Sequence, residues 1–291
     1  MSSVLINRNK QKSARVSITM LDYDQNAPLD VKEIASEKKQ GIRIIDISYA
    51  GFADERVSAF LIEPPGDGPL AGILFQHGGA QDRTAFLSEA VMLARRGAVS
   101  LLVDAPGARE ELNYTRPEID RGMFVRTIIN LRRGVDLLAG QANVDADRLG
   151  YVGLSFGGYI GGILAGAERR LKAYVLLAAL PSMTELWNSS DLSFAVAMRD
   201  SLSLEQLDRY IEVTAPFDAI HHIGKSAPAP LFFQFATEDE IVSKQDALRL
   251  FAAGSEPKMM KWYESGHPLL ACNMDGRNDR ARWLSEQIGL M

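Results

Sequence analysis

One serine in this chain is surrounded by the residues that nucleophilic chemistry needs. Ser155 lies in Gly153-Leu154-Ser155-Phe156-Gly157-Gly158, between an apolar run ending at Val152 and a small-residue segment beginning at Tyr159. Where a strand turns sharply into a helix, a G-x-S-x-G pattern forces the serine into a strained backbone and lifts its hydroxyl clear of the sheet. Glycines two residues before and two after remove side chains that would collide there. A hydroxyl is a weak nucleophile until a histidine takes its proton, and the histidine needs a carboxylate to fix its tautomer and stabilise the imidazolium.

The chain has four histidines: His77, His221, His222 and His267. Of these, only His267 follows the serine from a loop just past an apolar run, in Glu264-Ser265-Gly266-His267-Pro268. Gly266 permits an unusual backbone angle, and Pro268 holds His267 extended. The carboxylate belongs between serine and histidine in sequence, at the end of a strand. Thr237-Glu238-Asp239-Glu240 offers three; Asp239 is the candidate and Glu238 the second choice.

Acyl transfer puts negative charge on a carbonyl oxygen, and each backbone N–H aimed at that oxygen is worth roughly 10²–10³ in rate. One donor is expected from Phe156, directly after the serine, and one from the loop Gln76-His77-Gly78-Gly79-Ala80, where Gly79 is the candidate. His77 then shapes the loop and moves no proton. The non-catalytic alternatives are a glycine-rich core helix after Ser155, a solvated acidic turn at 237–240 and a loop histidine that merely packs.

These residues need elements to hold them at strand ends. Ile45, Ile47 and Tyr49 alternate with polar neighbours, and Val57, Ala59 and Leu61 do so again after a turn, which predicts an antiparallel hairpin. Residues 1–40 before it are polar and irregular in period, an arm laid on the domain. From Gly72 the strands become continuous apolar runs, at 72–76, 99–104, 149–153, 173–178, 231–236 and 258–263. Helical patterns alternate with them: Thr84–Arg96, closed by Gly97, and Ile119–Gly140, with Arg126, Arg132 and Arg133 on its outer face. Ser243 begins another, with Asp246 completing a variant capping box. This rhythm predicts an α/β fold in which helices cover both faces of a mostly parallel sheet and active groups sit beyond the strand C-termini.

Residues 181–224 break the rhythm. A structureless loop of that length is unusual inside a compact domain, so the expectation is a small helical cap insertion over the sheet's C-terminal edge. Its large apolar residues Trp187, Phe194 and Met198 are candidates to contact substrate; a mere spacer is the alternative. With 291 residues and 46% apolar content the chain suits one large α/β domain, 1–291, with no separate second unit.

The net charge of −5, from 37 acidic and 32 basic residues with no basic run, argues against nucleic acid or an anionic membrane as partner. One cysteine, Cys272, precludes an internal disulfide framework, and neither a signal-peptide core nor a membrane-length apolar run occurs, so a cytoplasmic protein is expected. His221, His222 and Asp218 lack the spacing of a metal site, and no nucleotide-binding glycine motif occurs. No metal or other cofactor is expected.

Together, His77-Gly78-Gly79, Asp104-Ala105-Pro106-Gly107, the segment Val144 to Gly158, Glu238 to Val242 and Gly266-His267 resemble the α/β-hydrolases. Within that superfamily the chain is similar to single-domain esterases related to dienelactone hydrolase and to the catalytic domains of prolyl-oligopeptidase-type peptidases. The resemblance spans about residues 70–270 and implies the α/β-hydrolase fold, the triad Ser155, Asp239 and His267, and a small-molecule carboxylic ester or related acyl substrate. Two departures matter. Dienelactone hydrolases carry cysteine at the elbow, where this chain has Ser155, and the peptidases carry an N-terminal β-propeller, which about 70 residues cannot build. Three functions are carried forward: a serine esterase working through an acyl-enzyme, a small serine peptidase or acyl-thioesterase with the same triad, and a non-catalytic binding protein on this fold.

Overall fold

The computed structural model describes residues 19–290. The hydrophobic alternation of the N-terminal third becomes β1 (Lys32–Lys39), β2 (Ile42–Ala50) and β3 (Arg56–Glu63), an antiparallel meander. The expected arm is thus a strand over 32–39, fully exposed along its length, and residues 1–18 of it lie outside the described residues. β1 escapes a periodicity search because neither of its faces is buried.

The continuous apolar runs are strands buried on both sides. They form β4 (Leu70–Gln76), β5 (Ala98–Val103), β6 (Val144–Leu154), β7 (Leu171–Leu177), β8 (Leu231–Glu238) and β9 (Lys258–Gly266). The sheet order is β1-β2-β3-β5-β4-β6-β7-β8-β9, parallel from β5 to β9. Chain order reverses at β4, which has β5 on one side and β6 on the other, and such a switch point opens a crevice at the strands' C-terminal ends.

Register then brings distant residues together. Gln76 pairs with Gly153, so the His77-Gly78-Gly79 loop and Ser155 leave the sheet side by side. Glu238 pairs with Gly266, so Asp239 and His267 do the same two strands away.

Helices lie on both faces. Gly150 and Tyr151 are consecutive and so point to opposite sides. Space above Gly150 is filled by Leu284 and Ile288 of the C-terminal helix Met274–Ile288, whereas Tyr151 donates to Gly157 O (2.7 Å) in the helix after the elbow. In chain order the helices are α1 (Leu87–Ala94), α2 (Pro117–Ala139), α3 (Phe156–Ala167), α4 (Met183–Ser189), α5 (Ser193–Asp200), α6 (Leu204–Thr214), α7 (Lys244–Ala253) and α8 (Met274–Ile288).

On α2, Arg126 is on the exposed side as its pattern predicts, but Arg132 and Arg133 are not. Arg133 is buried and donates to Ala50 O (2.5 Å) and Pro28 O (2.8 Å); Arg132 donates to Leu21 O (2.7 Å) and meets Glu168 at 3.3 Å. The carbonyls of the N-terminal segment, folded over α2, satisfy guanidinium groups whose aliphatic stems pack inward.

The segment after β7 is helical. Ser182 caps α4 by accepting from Glu185 N (2.8 Å), and Ser203 with Gln206 makes a complete capping box on α6. Three 3₁₀ turns over 215–225 return the chain to β8. No helix among the described residues is long and apolar enough to cross a membrane, and no group of three or more potential metal ligands occurs among them.

Candidate active site

Ser155 occupies the turn between β6 and α3 with φ 52° and ψ −110°, a region that a non-glycine residue adopts only under constraint. Two hydrogen bonds hold it there: Ser155 N donates to Leu177 O on β7 (2.8 Å), and Tyr159 N donates to Ser155 O (2.8 Å) to open the helix. A side chain at Gly153 would collide with the Gly157 carbonyl, and one at Gly157 with the Gln76 carbonyl. The glycines of the motif are therefore required by the close approach of three backbone segments.

The Ser155 hydroxyl lies 2.8 Å from His267 Nε2, and His267 Nδ1 lies 2.9 Å from both Asp239 oxygens. The network dictates one tautomer: Nδ1–H donates to the carboxylate, leaving Nε2 to accept from the serine. Asp239 Oδ1 also accepts from Ile241 N (2.9 Å) and Val242 N (2.8 Å), so its side chain, only 2% exposed, is fixed by its own turn. Glu238, the second choice in sequence, is exposed. Glu240 reaches the loop differently, with its Oε2 3.4 Å from His267 N.

The glycine loop is bolted down by His77, which is almost wholly buried. His77 Nδ1 donates to Gly78 O (2.7 Å), and its Nε2 accepts from Ala105 N (3.0 Å) beyond β5. The neighbouring amides are engaged: Gly78 N donates to Gln81 Oε1 (3.0 Å) and Ala80 N to Ala108 O (3.2 Å). Gly79 N–H, between them, has no acceptor among the described residues. Phe156 N–H belongs to the first turn of α3, whose amides have no acceptor within the helix. Both residues line the same cavity as Ser155.

That cavity, about 320 Å³, is walled by the loop Gly107 to Tyr114, by Met123 and Phe124 of α2, and by Met183, Leu186, Trp187 and Phe194 of α4 and α5. Trp187 and Phe194 thus line the cavity that holds Ser155; Met198 is buried in α5 and is not part of the lining. A larger groove, about 640 Å³, adjoins it across Leu180, Leu186 and Ile241 but is lined by Asp239 and not by Ser155. Of the two spaces, the smaller is the one that Ser155 lines.

Several cavity residues have no signature in the sequence. Tyr114, Leu180, Met183 and Ile241 sit in loops or at helix starts with no periodicity to mark them; the resemblance at Asp104 to Gly107 is the nearest signal, since it opens the loop carrying Tyr114. His222 is set aside from the site: its Nε2 donates to Pro216 O (2.8 Å), and burial pushes its pKa down to about 4.

Fold and site together define a hydrolase of the α/β-hydrolase class. Residues 84–289 match the model of the prolyl oligopeptidase family, and the chain belongs to that family and so to the serine hydrolases. No curated protein matches the sequence. Among solved structures, it is similar to an acetyl xylan esterase from Paenibacillus sp. R4 (16% identity, TM-score 0.76, covering 94% of this chain and 93% of that one). Acetyl xylan esterase 1 from Thermoanaerobacterium sp. JW/SL YS485 is similar at 18% identity and TM-score 0.76, covering 95% and 92%. A cold-adapted esterase from an Arctic intertidal metagenomic library follows at 17% identity and TM-score 0.65, covering 88% and 98%.

Proposed function

We propose that this protein cleaves carboxylic esters through a covalent acyl-enzyme. Ser155 Oγ attacks the carbonyl carbon while its proton passes to His267 Nε2, and the resulting oxyanion accepts from the N–H groups of Gly79 and Phe156. The imidazolium, steadied by Asp239, returns the proton to the departing alkoxide. A water then attacks the acyl carbon with His267 again as base, and the carboxylic acid leaves Ser155 free. The observation that carries this reading is the unbroken chain from Ser155 Oγ to His267 (2.8 Å) to Asp239 (2.9 Å), at a serine held in a strained backbone. Single-domain organisation, with residues 181–224 as a cap over the cavity, is part of the proposal. A reducing, cytoplasmic setting fits the single cysteine, Cys272.

The likeness to esterases favours an ester, whereas membership of the prolyl oligopeptidase family favours a peptide bond as a second reading. Incubation with a fluorophosphonate, peptide mapping, and a panel of p-nitrophenyl esters beside matched p-nitroanilides separate them. The ester reading expects an adduct on Ser155 and ester turnover far exceeding anilide turnover. Equal or faster anilide cleavage would favour the peptidase, and an adduct elsewhere would remove the mechanism.

A further inference from the structure

Resting on the ester reading, we propose that the acyl arm of the substrate ends in an alkylated ammonium group, seated in the 320 Å³ cavity. Four features of that cavity lead there. Its walls include Tyr114, Trp187 and Phe194, with centroids 5.6 Å apart for Tyr114 and Trp187 and 5.3 Å for Trp187 and Phe194. The successive ring planes meet at 63° and 71°, so the rings form a corner and not a flat stack. Aromatic corners of this kind attract cations, alkylated ammonium above all, because its methyl groups suit an apolar wall and its charge suits the ring faces.

Two carboxylates, Glu110 and Glu111, line the same cavity, and no lysine, arginine or histidine does. Glu110 is partly neutralised by Arg126 at 3.9 Å; Glu111 has no basic side chain within 4 Å among the described residues. Glu111 also contributes to raising the Tyr114 hydroxyl's pKa, after burial and Asp120, which places its charge close to the aromatic corner. In the adjoining groove, Glu185, Asp191, Glu240 and Asp246 line the wall with a single base, Arg249. Carboxylates thus outnumber bases along the approach and favour a cation there, although Arg199 donates to the Trp187 carbonyl (2.9 Å) from behind. An anionic acyl arm would meet those carboxylates as repulsion.

The arm in question is the acyl arm for a geometric reason. The leaving alkoxide takes its proton from His267 Nε2, so the alcohol departs on the histidine side, yet His267 is not part of the cavity lining. The arm that stays on Ser155 is the one the cavity can hold. At about 30 Å³ per water-sized group, the space takes about ten non-hydrogen atoms, enough for a four-carbon acyl chain ending in trimethylammonium.

The test compares p-nitrophenyl 4-(trimethylammonio)butanoate with its uncharged isostere, p-nitrophenyl 5,5-dimethylhexanoate. Each kcat/KM is divided by the ester's uncatalysed hydrolysis rate. The expected ratio is about tenfold or more in favour of the cation, on the scale of cation–π contacts with a nearby carboxylate. It should shrink with added salt and fall several-fold in Glu111→Gln and in Tyr114→Leu. A ratio of one or less overturns the proposal, as does a ratio that neither variant changes. Turnover of the isostere alone leaves the ester reading standing while this one falls. If neither ester, nor any other in the p-nitrophenyl panel, is cleaved by a protein that circular dichroism shows folded, both fall together.

Discussion

At the scale of single residues, Ser155, His267 and Asp239 are expected to act as a unit. Ser155→Ala should lower kcat by on the order of 10⁵–10⁶, and adding His267→Ala should cost almost nothing more, because neither residue contributes once the other is gone. Asp239→Asn should cost less, about 10⁴, since it disturbs tautomer and orientation while leaving the nucleophile in place. Steady-state kinetics on one activated ester checks all three; additive losses in the double variant would show that serine and histidine do not cooperate. The sequence marks these three side chains because each sits just past a strand, and strand pairing then fixes their spacing: Glu238 opposite Gly266 sets Asp239 beside His267. It does not mark Gln81 or Ala108, whose oxygens engage the amides on either side of Gly79. Which amide of a glycine loop stays free depends on the loop's path, and no spacing rule encodes that path.

At the scale of elements, the helical segment after β7 is pinned at both ends by one buried carboxyl. Asp218 accepts from Ser182 Oγ (2.7 Å) and Thr184 N (3.2 Å), fastening the start of α4 to the turns that end the segment. Since α4 carries Leu186 and Trp187 into the cavity, this latch sets the cavity's shape. Burial without a cation raises the Asp218 pKa from 3.8 to about 7, against the opposing hydrogen bonds from Ser182 and Thr184 and with Glu185 adding to the rise. Its stabilising share is therefore full below pH 4 and lost as pH rises through 7, because the unfolded chain ionises first. His222, four residues on, does the reverse: its pKa falls from 6.5 to about 4, so its share is present above pH 6.5 and lost as pH falls through 4. The two slopes oppose each other over pH 4–6.5. Asp218→Asn should expose the histidine's slope, so that stability relative to wild type rises across that window by at most about 3 kcal/mol. Urea unfolding at pH 4.5 and 7 measures it, and a variant whose difference from wild type is constant with pH would refute the latch's titration. At the same scale, Trp187→Ala should reorder the preference among acyl lengths; one common factor across all esters would make the segment a spacer. That the segment is helical follows from its length and its apolar residues. The latch is hidden because Ser182 and Asp218 are 36 residues apart: Ser182 carries a local helix-cap pattern with Glu185, but nothing local links it to Asp218.

At the scale of the whole molecule, one buried ion pair joins the two ends of the matched region. Arg280 on α8 and Glu89 on α1 are both fully buried and paired through two bonds of 2.8 and 2.6 Å. The same guanidinium donates to Gln234 Oε1 on β8 (2.8 Å) and to Ala271 O (3.0 Å), in the 3₁₀ segment that begins at His267. Helix α8 is thus tied at once to α1, to the sheet and to the histidine loop, across 191 residues of sequence in the case of Glu89. A pattern search sees Glu89 only as a charged residue in a short amphipathic helix, because a partner that distant has no periodic relation to it. Removing one member of a buried pair leaves the other charged and desolvated, which costs about 3–5 kcal/mol. Glu89→Leu should therefore destabilise by that amount. Replacing both, Glu89→Leu with Arg280→Met, should recover part of the loss, since no fully buried charge is then stranded; Arg277, 3.8 Å from Glu89, is partly exposed and keeps water. Recovery should stop short of wild type, because the Gln234 oxygen loses its donor, at about 1–3 kcal/mol for a buried group left unsatisfied, whereas the Ala271 carbonyl keeps the bond from Arg277 Nε (3.1 Å). Denaturant unfolding of the two variants decides the matter. A single variant as stable as wild type would show that the pair contributes nothing, and a double variant as weak as the single would show that the cost lies in packing and not in charge.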